Sequence, residues 1–491
     1  MGSYLLTNGY VVTVDGERHV FPDGYVEIAG DSIVAVGPMT DLSAEDVESP
    51  KGDREVVDMG GMLVMPGLVN GHNHHWGSLF KNTGEGLLLE DWLDQVTIPL
   101  MMQLSPEDLR ISAYLGALEQ LRTGTTCSLN HAVNTNDFDS ISHFVEPVLD
   151  VGVRQVVTKE LRNTPSPPFS TRYPATPHVR DLDEEIALAE SVVDKWDGAG
   201  GIVHIGLAIE SGANWMLHNA TSDELIREGV ALAQKRNLKI TNHCSAGTPW
   251  LSIKEFEQHT GGGDVDYLVR LGALTDNWVL IHSLHLKDRE VDHVARAGAG
   301  VVSNPVSNAY SCDGIAPLKS MFDAGIDVGL GTDGAYVNCS PDMVEQMKFA
   351  ALIQNVTHFD PTLISAERAI EMATINTAKA IGLGDLIGSL EAGKRADIAV
   401  FDLDRTHITV ANRPVSALVF SAHGTDVESV LVNGEFRIRS GELVASVDEK
   451  EVLAESRRRA RDVIEKAGLA ARVDDHWRST NPRRIDHVAA S

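Results

Sequence analysis

The sequence predicts an α/β protein built on a closed (β/α)₈ barrel, with a smaller β-rich unit assembled from the two ends of the chain. Two observations carry this expectation. Between residues 66 and 384, short apolar strands rich in β-branched residues alternate with amphipathic helical stretches, and the alternation runs eight times. At both ends of the chain, strands instead follow one another directly through tight turns. Eight such units fit a closed barrel better than an open doubly wound sheet. No G-x-G-x-x-G follows the first strand of the series, which removes the usual mark of a dinucleotide site.

The first stretches, YLLTNGYVVTVDG, GYVEIAGDSIVAVG and EVVDMGGMLVMPG, alternate apolar residues around the turn pairs Asn8-Gly9 and Gly30-Asp31. The same pattern returns in ADIAVFDLD, VSALVFSA and VESVLVNGEFRI, with Asn433-Gly434 as its turn. Residues 1–65 and 385–445 are therefore expected to form one β domain. The eight barrel strands are expected to end near Asn70, Ser128, Val157, Ile209, Thr241, Ile281, Ser303 and Gly331. Between them, SPEDLRISAYLGALEQLRTG opens with a capped first turn, and TSDELIREGVALAQKRN has Thr221 or Ser222 as its N-cap. In residues 446–491, a charged helix, DEKEVLAESRRRARDVIEKAG, leads into a polar stretch read as an extended tail.

The 491 residues carry 41 Lys+Arg against 70 Asp+Glu, a net charge of −29. Such a surface repels phosphate backbones and anionic bilayers, so neither nucleic acid nor membrane is an expected partner. The four cysteines are scattered, with no C-x-x-C pair, which excludes a disulfide framework and a thiolate zinc site. No basic-then-apolar leader or span-length apolar run is present, and a cytoplasmic enzyme acting on a small molecule is expected.

Chemistry in such a barrel sits at the C-terminal strand ends. There the sequence places His72 and His74 after strand 1, His243 after strand 5, His282 and His285 around the end of strand 6, and Asp333 after strand 8. In an extended segment, positions i and i+2 face the same way, so His72 and His74 can share one ligand. A lone strand-end histidine is more often structural, but a cluster on four strands points to a metal. Imidazoles plus a carboxylate suit Zn²⁺ first, with Fe²⁺, Co²⁺ or Mn²⁺ as alternatives. His75 points off this face and is expected to support the ligands from behind or to be structural.

The segments MPGLVNGHNHHWG, TGTTCSLNH, HCSAG, LIHSLHL, VVSNPVSNAYSCDGIAPLKSMFDAGIDVGLGTDG and GSLEAGKRADIAVFD resemble the amidohydrolase superfamily. Within it they are similar to the branch of cytosine and adenosylhomocysteine deaminases and triazine hydrolases. The resemblance spans about residues 1–445. It implies a barrel with a composite β-sandwich formed by both chain ends, and one catalytic divalent metal. It also implies metal ligands His72, His74, His243 and Asp333, with Asp333 moving protons and His282 holding the attacking water or the substrate oxygen. Homo-oligomers are common in this family, and one is expected here.

One position departs from the pattern. These deaminases typically read His-x-x-Glu after strand 5, and that Glu protonates a substrate ring nitrogen. Here the position is Ala246. Either another acid substitutes, with Glu210 and Glu160 as candidates, or the substrate is an acyclic amide, urea, carbamate or thiocarbamate that needs no ring protonation. The second option, a phenylurea-type hydrolase, is the favoured expectation. An aminoheterocycle deaminase or dechlorinase and a non-catalytic barrel relative are its rivals. Trp76, Trp92, Asn130, His131, Glu160, Glu210, Trp215, His285 and Tyr310 are the expected pocket residues, and few cations near them favour a neutral substrate. Lys159, at the end of strand 3, raises the lesser option of a lysine-bridged binuclear site.

Overall fold

The computed structural model describes residues 2–48, 53–133, 135, 137–164, 180–210 and 221–473. Trp215 and the expected tail from residue 474 onward fall outside the described residues.

The N-terminal strands are β1 (Ser3–Val12), β2 (Val20–Ala29), β3 (Ser32–Pro38), β4 (Glu55–Asp58) and β5 (Leu63–Pro66). The barrel strands follow as β6 (Leu68–Asn73), β7 (Thr125–Asn130), β8 (Arg154–Glu160), β9 (Val203–Ala208), β10 (Ile240–Cys244), β11 (Trp278–His282), β12 (Gly300–Ser303) and β13 (Val328–Leu330). The chain closes its β content with β14 (Ile398–Phe401), β15 (Val427–Val432), β16 (Glu435–Arg439) and β17 (Glu442–Leu443). Every barrel strand ends within three residues of its expected position.

β6 to β13 pair in chain order as one parallel eight-stranded sheet. The two outer strands meet through His72, whose carbonyl accepts from the amides of Thr332 at 3.1 Å and Asp333 at 2.9 Å. Asn70 Nδ2 donates to Thr332 Oγ1 at 2.7 Å beside that seam. The junction closes the barrel and fixes the residues after β6 against those after β13.

The nine end strands form a second sheet, ordered β17-β16-β15-β14-β5-β1-β2-β3, with β4 paired to β1. β16 and β1 lie four strand spacings apart in this order, about 19 Å if the sheet were flat. Yet the Tyr4 ring on β1 and the Phe436 ring on β16 are 5.0 Å apart, edge to face. Arg439 also pairs with Glu55 across the same gap. The sheet therefore folds over on itself as a sandwich. Leu6, Val26, Ile28, Val64, Ile398 and Leu431 pack between its layers.

A buried ion pair joins the two units. The Arg154 guanidinium, at the start of β8, donates to Asp397 from Nε at 2.7 Å and from Nη2 at 3.0 Å. Both side chains are almost fully enclosed. The joint lies at the N-terminal end of a barrel strand, the end away from the histidine cluster.

Local chemistry explains the helices. Pro106–Arg122 begins with a reciprocal Ser105–Asp108 capping box and a proline in its first turn. Asp223–Arg236 starts on the Ser222 cap and stops at Asn237 in the left-handed region. The charged helix Glu449–Lys466 docks on the first of these through Arg459–Asp108 at 2.9 Å and Arg122–Glu449. No described helix is long and apolar enough to cross a membrane.

Candidate active site

The strand ends bring His72, His74, His243, His282 and Asp333 to one point. His72 Nε2 and His74 Nε2 each lie 3.4 Å from Asp333 Oδ1, and His282 Nε2 lies 3.7 Å from Asp333 Oδ2. His74 Nε2 and His243 Nε2 are 3.2 Å apart. Two of the residues, His282 at φ 66° and Asp333 at φ 62°, are in the left-handed region, which is strained for side chains of this size. The strand ends turn sharply there and aim these groups inward.

Outer hydrogen bonds settle which imidazole nitrogens face the centre. His74 Nδ1 donates to the His131 carbonyl at 2.9 Å. His243 Nδ1 donates to Glu210 Oε1 at 2.5 Å. His282 Nδ1 donates to Asn308 Oδ1 at 2.8 Å. Each leaves an unprotonated Nε2 turned inward. His72 has no hydrogen bond on either ring nitrogen, though both are buried. Burial drives the His72 imidazole well below its usual range and lowers His74 to about 4 and His243 to about 3. Burial acts to raise the Asp333 carboxyl, but the close approach and charge of His72, 3.4 Å away, with the charges of His282 and His74, outweigh it, and Asp333 falls well below the usual carboxylate range.

Two lone pairs facing each other at 3.2 Å repel unless a cation lies between them. A tetrahedral ion with bonds of about 2.1 Å holds its ligand atoms about 3.4 Å apart. The observed separations of 3.2 and 3.4 Å match that polyhedron edge. The residues present thus fit a divalent metal held by His72, His74, His243 and Asp333. Outer partners such as Glu210 orient metal-binding imidazoles in this way. His131, Glu210 and His243 form a further, overlapping cluster of ligand atoms.

The pocket over this cluster is walled by aromatic and aliphatic groups. Leu89, Trp92, Leu93, Thr97 and Met101 line it from helical segment 89–101, at spacings that keep them on one helix face. Trp92 stacks on Tyr336 at 5.0 Å, and Trp76 lies 4.6 Å from the same ring. Polar lining comes from His131, Glu160, Arg162, Glu210, Ser311 and Asp313. Ala246 also lines the pocket.

Of the expected pocket residues, Trp76, Trp92, His131, Glu160 and Glu210 line it; Asn130, His285 and Tyr310 do not. Asn130 is fully buried, accepting from the His75 amide at 3.1 Å and donating to Gln155, so its polar atoms are committed to the barrel. His285 Nε2 faces the carbonyls of Gly247 and Asp313 at 3.0 and 2.9 Å and ties two loops together. Tyr310 packs against the core from the short helix Pro305–Tyr310. Lys159 is buried against Glu185 at 2.8 Å, which commits its ammonium elsewhere. His75 is enclosed beside Gln155, at 3.4 Å, as its off-face position implies. The sequence reading missed Tyr336 and Asp313. Tyr336, three residues past Asp333, had a signal in that spacing, whereas Asp313 sits in a stretch that reads as a turn.

The amidohydrolase family profile matches residues 63–437. This chain belongs to the amidohydrolase family. It is 32% identical over 463 residues to a 5-methylthioadenosine/S-adenosylhomocysteine deaminase of Desulforudis audaxviator, covering 94% of this chain and 99% of that one. A protein of the same description from Acetivibrio thermocellus is 30% identical over 455 residues, covering 91% and 96%. Among solved structures, an adenosine deaminase from Xanthomonas campestris with bound zinc superposes with a TM-score of 0.83 at 26% identity, covering 94% of this chain and 99% of that one. A variant of atrazine chlorohydrolase from Arthrobacter aurescens, complexed with zinc and atraton, has the same fold, with a TM-score of 0.82 at 23% identity over 93% and 100% of the two chains. As an amidohydrolase, this protein is a metal-dependent hydrolase of carbon–nitrogen bonds. The expectation of a non-catalytic barrel relative is set aside.

Proposed function

We propose that this amidohydrolase replaces the amino group, or an equivalent leaving group, of a small neutral amino-heterocycle with oxygen, using one divalent ion, zinc first. The observation that carries the reading is the pair of inward lone pairs of His74 and His243, 3.2 Å apart beneath a wall of stacked aromatic rings. That arrangement suits a flat ring held over a metal. The deaminase names of the relatives support the same class. The phenylurea expectation finds no support among them.

A divalent ion in this cage supplies a water that ionises near neutral pH. The chain's own groups do the rest. Asp333, held charged by its imidazole neighbours, takes a proton from the attacking water and delivers it to the departing nitrogen. His282 Nε2, with its Nδ1 proton given to Asn308, accepts a hydrogen bond from that water. Trp76, Trp92 and Tyr336 bury the ring face and exclude bulk solvent. We assign His72, His74, His243 and Asp333 as the metal ligands. The reading includes no nucleic-acid or membrane partner, on the strength of the net charge of −29, and a homo-oligomeric cytoplasmic enzyme, on the strength of the family resemblance.

A second reading, hydrolysis of an acyclic urea, is favoured by one observation: the pocket carries Ala246 where a ring-protonating acid is expected. Mass spectrometry of products from metal-replete enzyme separates the two. The panel is 5-methylthioadenosine, adenosine, atrazine and N-phenylurea. Exchange of a ring amino group or ring chlorine for oxygen supports the proposal. Cleavage of N-phenylurea to aniline, with every ring substrate untouched, overturns it.

A further inference from the structure

Water adding to an amino-substituted aromatic carbon pushes an electron pair onto the adjacent ring nitrogen. In a pocket closed to solvent that nitrogen needs a proton from a nearby acid. Among the described residues, three carboxyl groups besides Asp333 line the pocket: Glu160, Glu210 and Asp313. Glu210 is occupied with His243 Nδ1 at 2.5 Å, with His131 Nε2 3.3 Å away. Glu160 faces the Arg162 guanidinium at 3.7 Å. All three have a buried carboxylate oxygen without a hydrogen bond, but Asp313 alone of them has a hydroxyl rather than a cation or an imidazole against its carboxylate. It is only 3% exposed. Its Oδ2 accepts from Ser311 Oγ at 2.9 Å, while its Oδ1 is buried with no hydrogen-bond partner.

The position of Asp313 follows from two contacts. The His285 ring bridges the Asp313 carbonyl, 2.9 Å away, and the carbonyl of Gly247, 3.0 Å away, next to Ala246. Glu90 accepts from the Thr248 amide at 2.9 Å in the same corner. Asp313 therefore stands beside the turn after β10, where Ala246 offers no acid.

We propose that Asp313 is the catalytic acid that protonates the substrate ring nitrogen as water adds to the neighbouring carbon. The assignment rests on the heterocycle reading above. The groups around Asp313 keep its proton in place. Burial raises its carboxyl to about 7, Ser311 works against this, and the charges of Glu90 and Asp333 add to it. Of the other charged and titratable groups in the pocket, Arg162 is turned to Glu160, and His131, His243 and His282 are engaged with Glu210 and Asn308. His285 meets Asp313 only at its backbone carbonyl.

The step balances. The water oxygen bonds to the ring carbon, one water proton passes to Asp333, and the C=N π pair takes the Asp313 proton to become N–H. The carbon–amine bond then breaks and the nitrogen leaves with the proton from Asp333 as ammonia. The hydroxyl proton returns to the Asp313 carboxylate as the new carbonyl forms. No oxidant or second reactant is needed.

The test uses full-length metal-replete protein with 5-methylthioadenosine, atrazine and N-phenylurea as probes, comparing wild type, Asp313→Asn and Asp313→Asn combined with Ala246→Glu. Asp313→Asn is expected to lower kcat/KM about 10²- to 10⁴-fold with metal content unchanged. The double variant is expected to recover about tenfold or more, since an acid returns to the neighbouring turn of the same pocket. Infrared difference spectra of wild type against Asp313→Asn are expected to show a protonated carboxyl band that titrates near pH 7 and is missing in the variant. Wild-type turnover of a ring probe with Asp313→Asn within threefold of it overturns the assignment alone. So does the absence of that band from wild type. If wild type cleaves N-phenylurea and no ring probe, the heterocycle reading falls and the assignment falls with it.

Discussion

Replacing Glu210 tests how much the metal cage depends on a residue that need not touch the ion. Its Oε1 accepts the His243 Nδ1 proton at 2.5 Å, which fixes the ring and its tautomer. In Glu210→Gln the amide oxygen still accepts that proton but the anionic charge is gone. A charge-assisted hydrogen bond contributes about 1–1.5 kcal/mol more than a neutral one. That corresponds to roughly 5- to 13-fold weaker metal binding. Glu210→Ala removes the acceptor entirely and frees the ring, and the loss should approach about 100-fold. The assay is competition for Zn²⁺ against a chelator of known affinity at fixed pH, with turnover measured at saturating metal. The expected result is graded weakening of binding, Ala beyond Gln, with turnover at saturation within about threefold of wild type. Unchanged affinity in both variants refutes the orienting role. Full metal content with abolished turnover makes Glu210 a participant in proton transfer instead.

Three further outcomes follow from the same structure. Asp333→Asn is expected to lower turnover by about 10²–10⁴-fold or more in steady-state assays, because it removes a charged ligand and the proton carrier together; near-normal activity contradicts the mechanism. His75, buried and lowered by burial from its ordinary 6.5 to about 4, stays neutral in the folded state where the unfolded chain takes up a proton. The metal-free protein should therefore lose stability as pH falls from 6.5 towards 4, and His75→Leu should show a shallower slope in urea titrations over that window; an identical slope rules out the linkage. Asp397→Ala leaves the Arg154 charge buried without its carboxylate and should cost about 3–5 kcal/mol in denaturant unfolding, whereas a cost below about 1 kcal/mol means the joint is not a structural anchor.

The barrel was legible because its strands are short, β-branched and bounded by turns. The strand-end histidines could then be placed at one rim by topology alone. Their pairing into a cage was legible for His72 and His74 from the i, i+2 rule, and the structure sets their rings 4.7 Å apart. Roles decided by tertiary neighbours were not legible. Asn130 and Tyr310 stand where pocket residues are expected, yet their polar or packing partners lie in other elements. Asp313 sits between Cys312 and Gly314 and reads as part of a turn. Only the fold brings Glu90 and His285 around it. In segment 89–101 only Trp92 stands out in the sequence; that Leu89, Leu93, Thr97 and Met101 share its face over the pocket is decided by how the segment packs on the barrel.

The curled sheet has a further consequence on the ribosome. β5 is complete at Pro66, but its antiparallel neighbour β14 is made some 330 residues later. At the usual pace of synthesis the nascent N-terminal half waits roughly 15–70 s with a bare hydrogen-bonding edge. A chain cut short anywhere in the barrel keeps that edge open, as a ready place for another unfinished copy to add. Pairing of β14 with β5 thus marks the chain as finished, and prematurely terminated products should be the fraction that aggregates first.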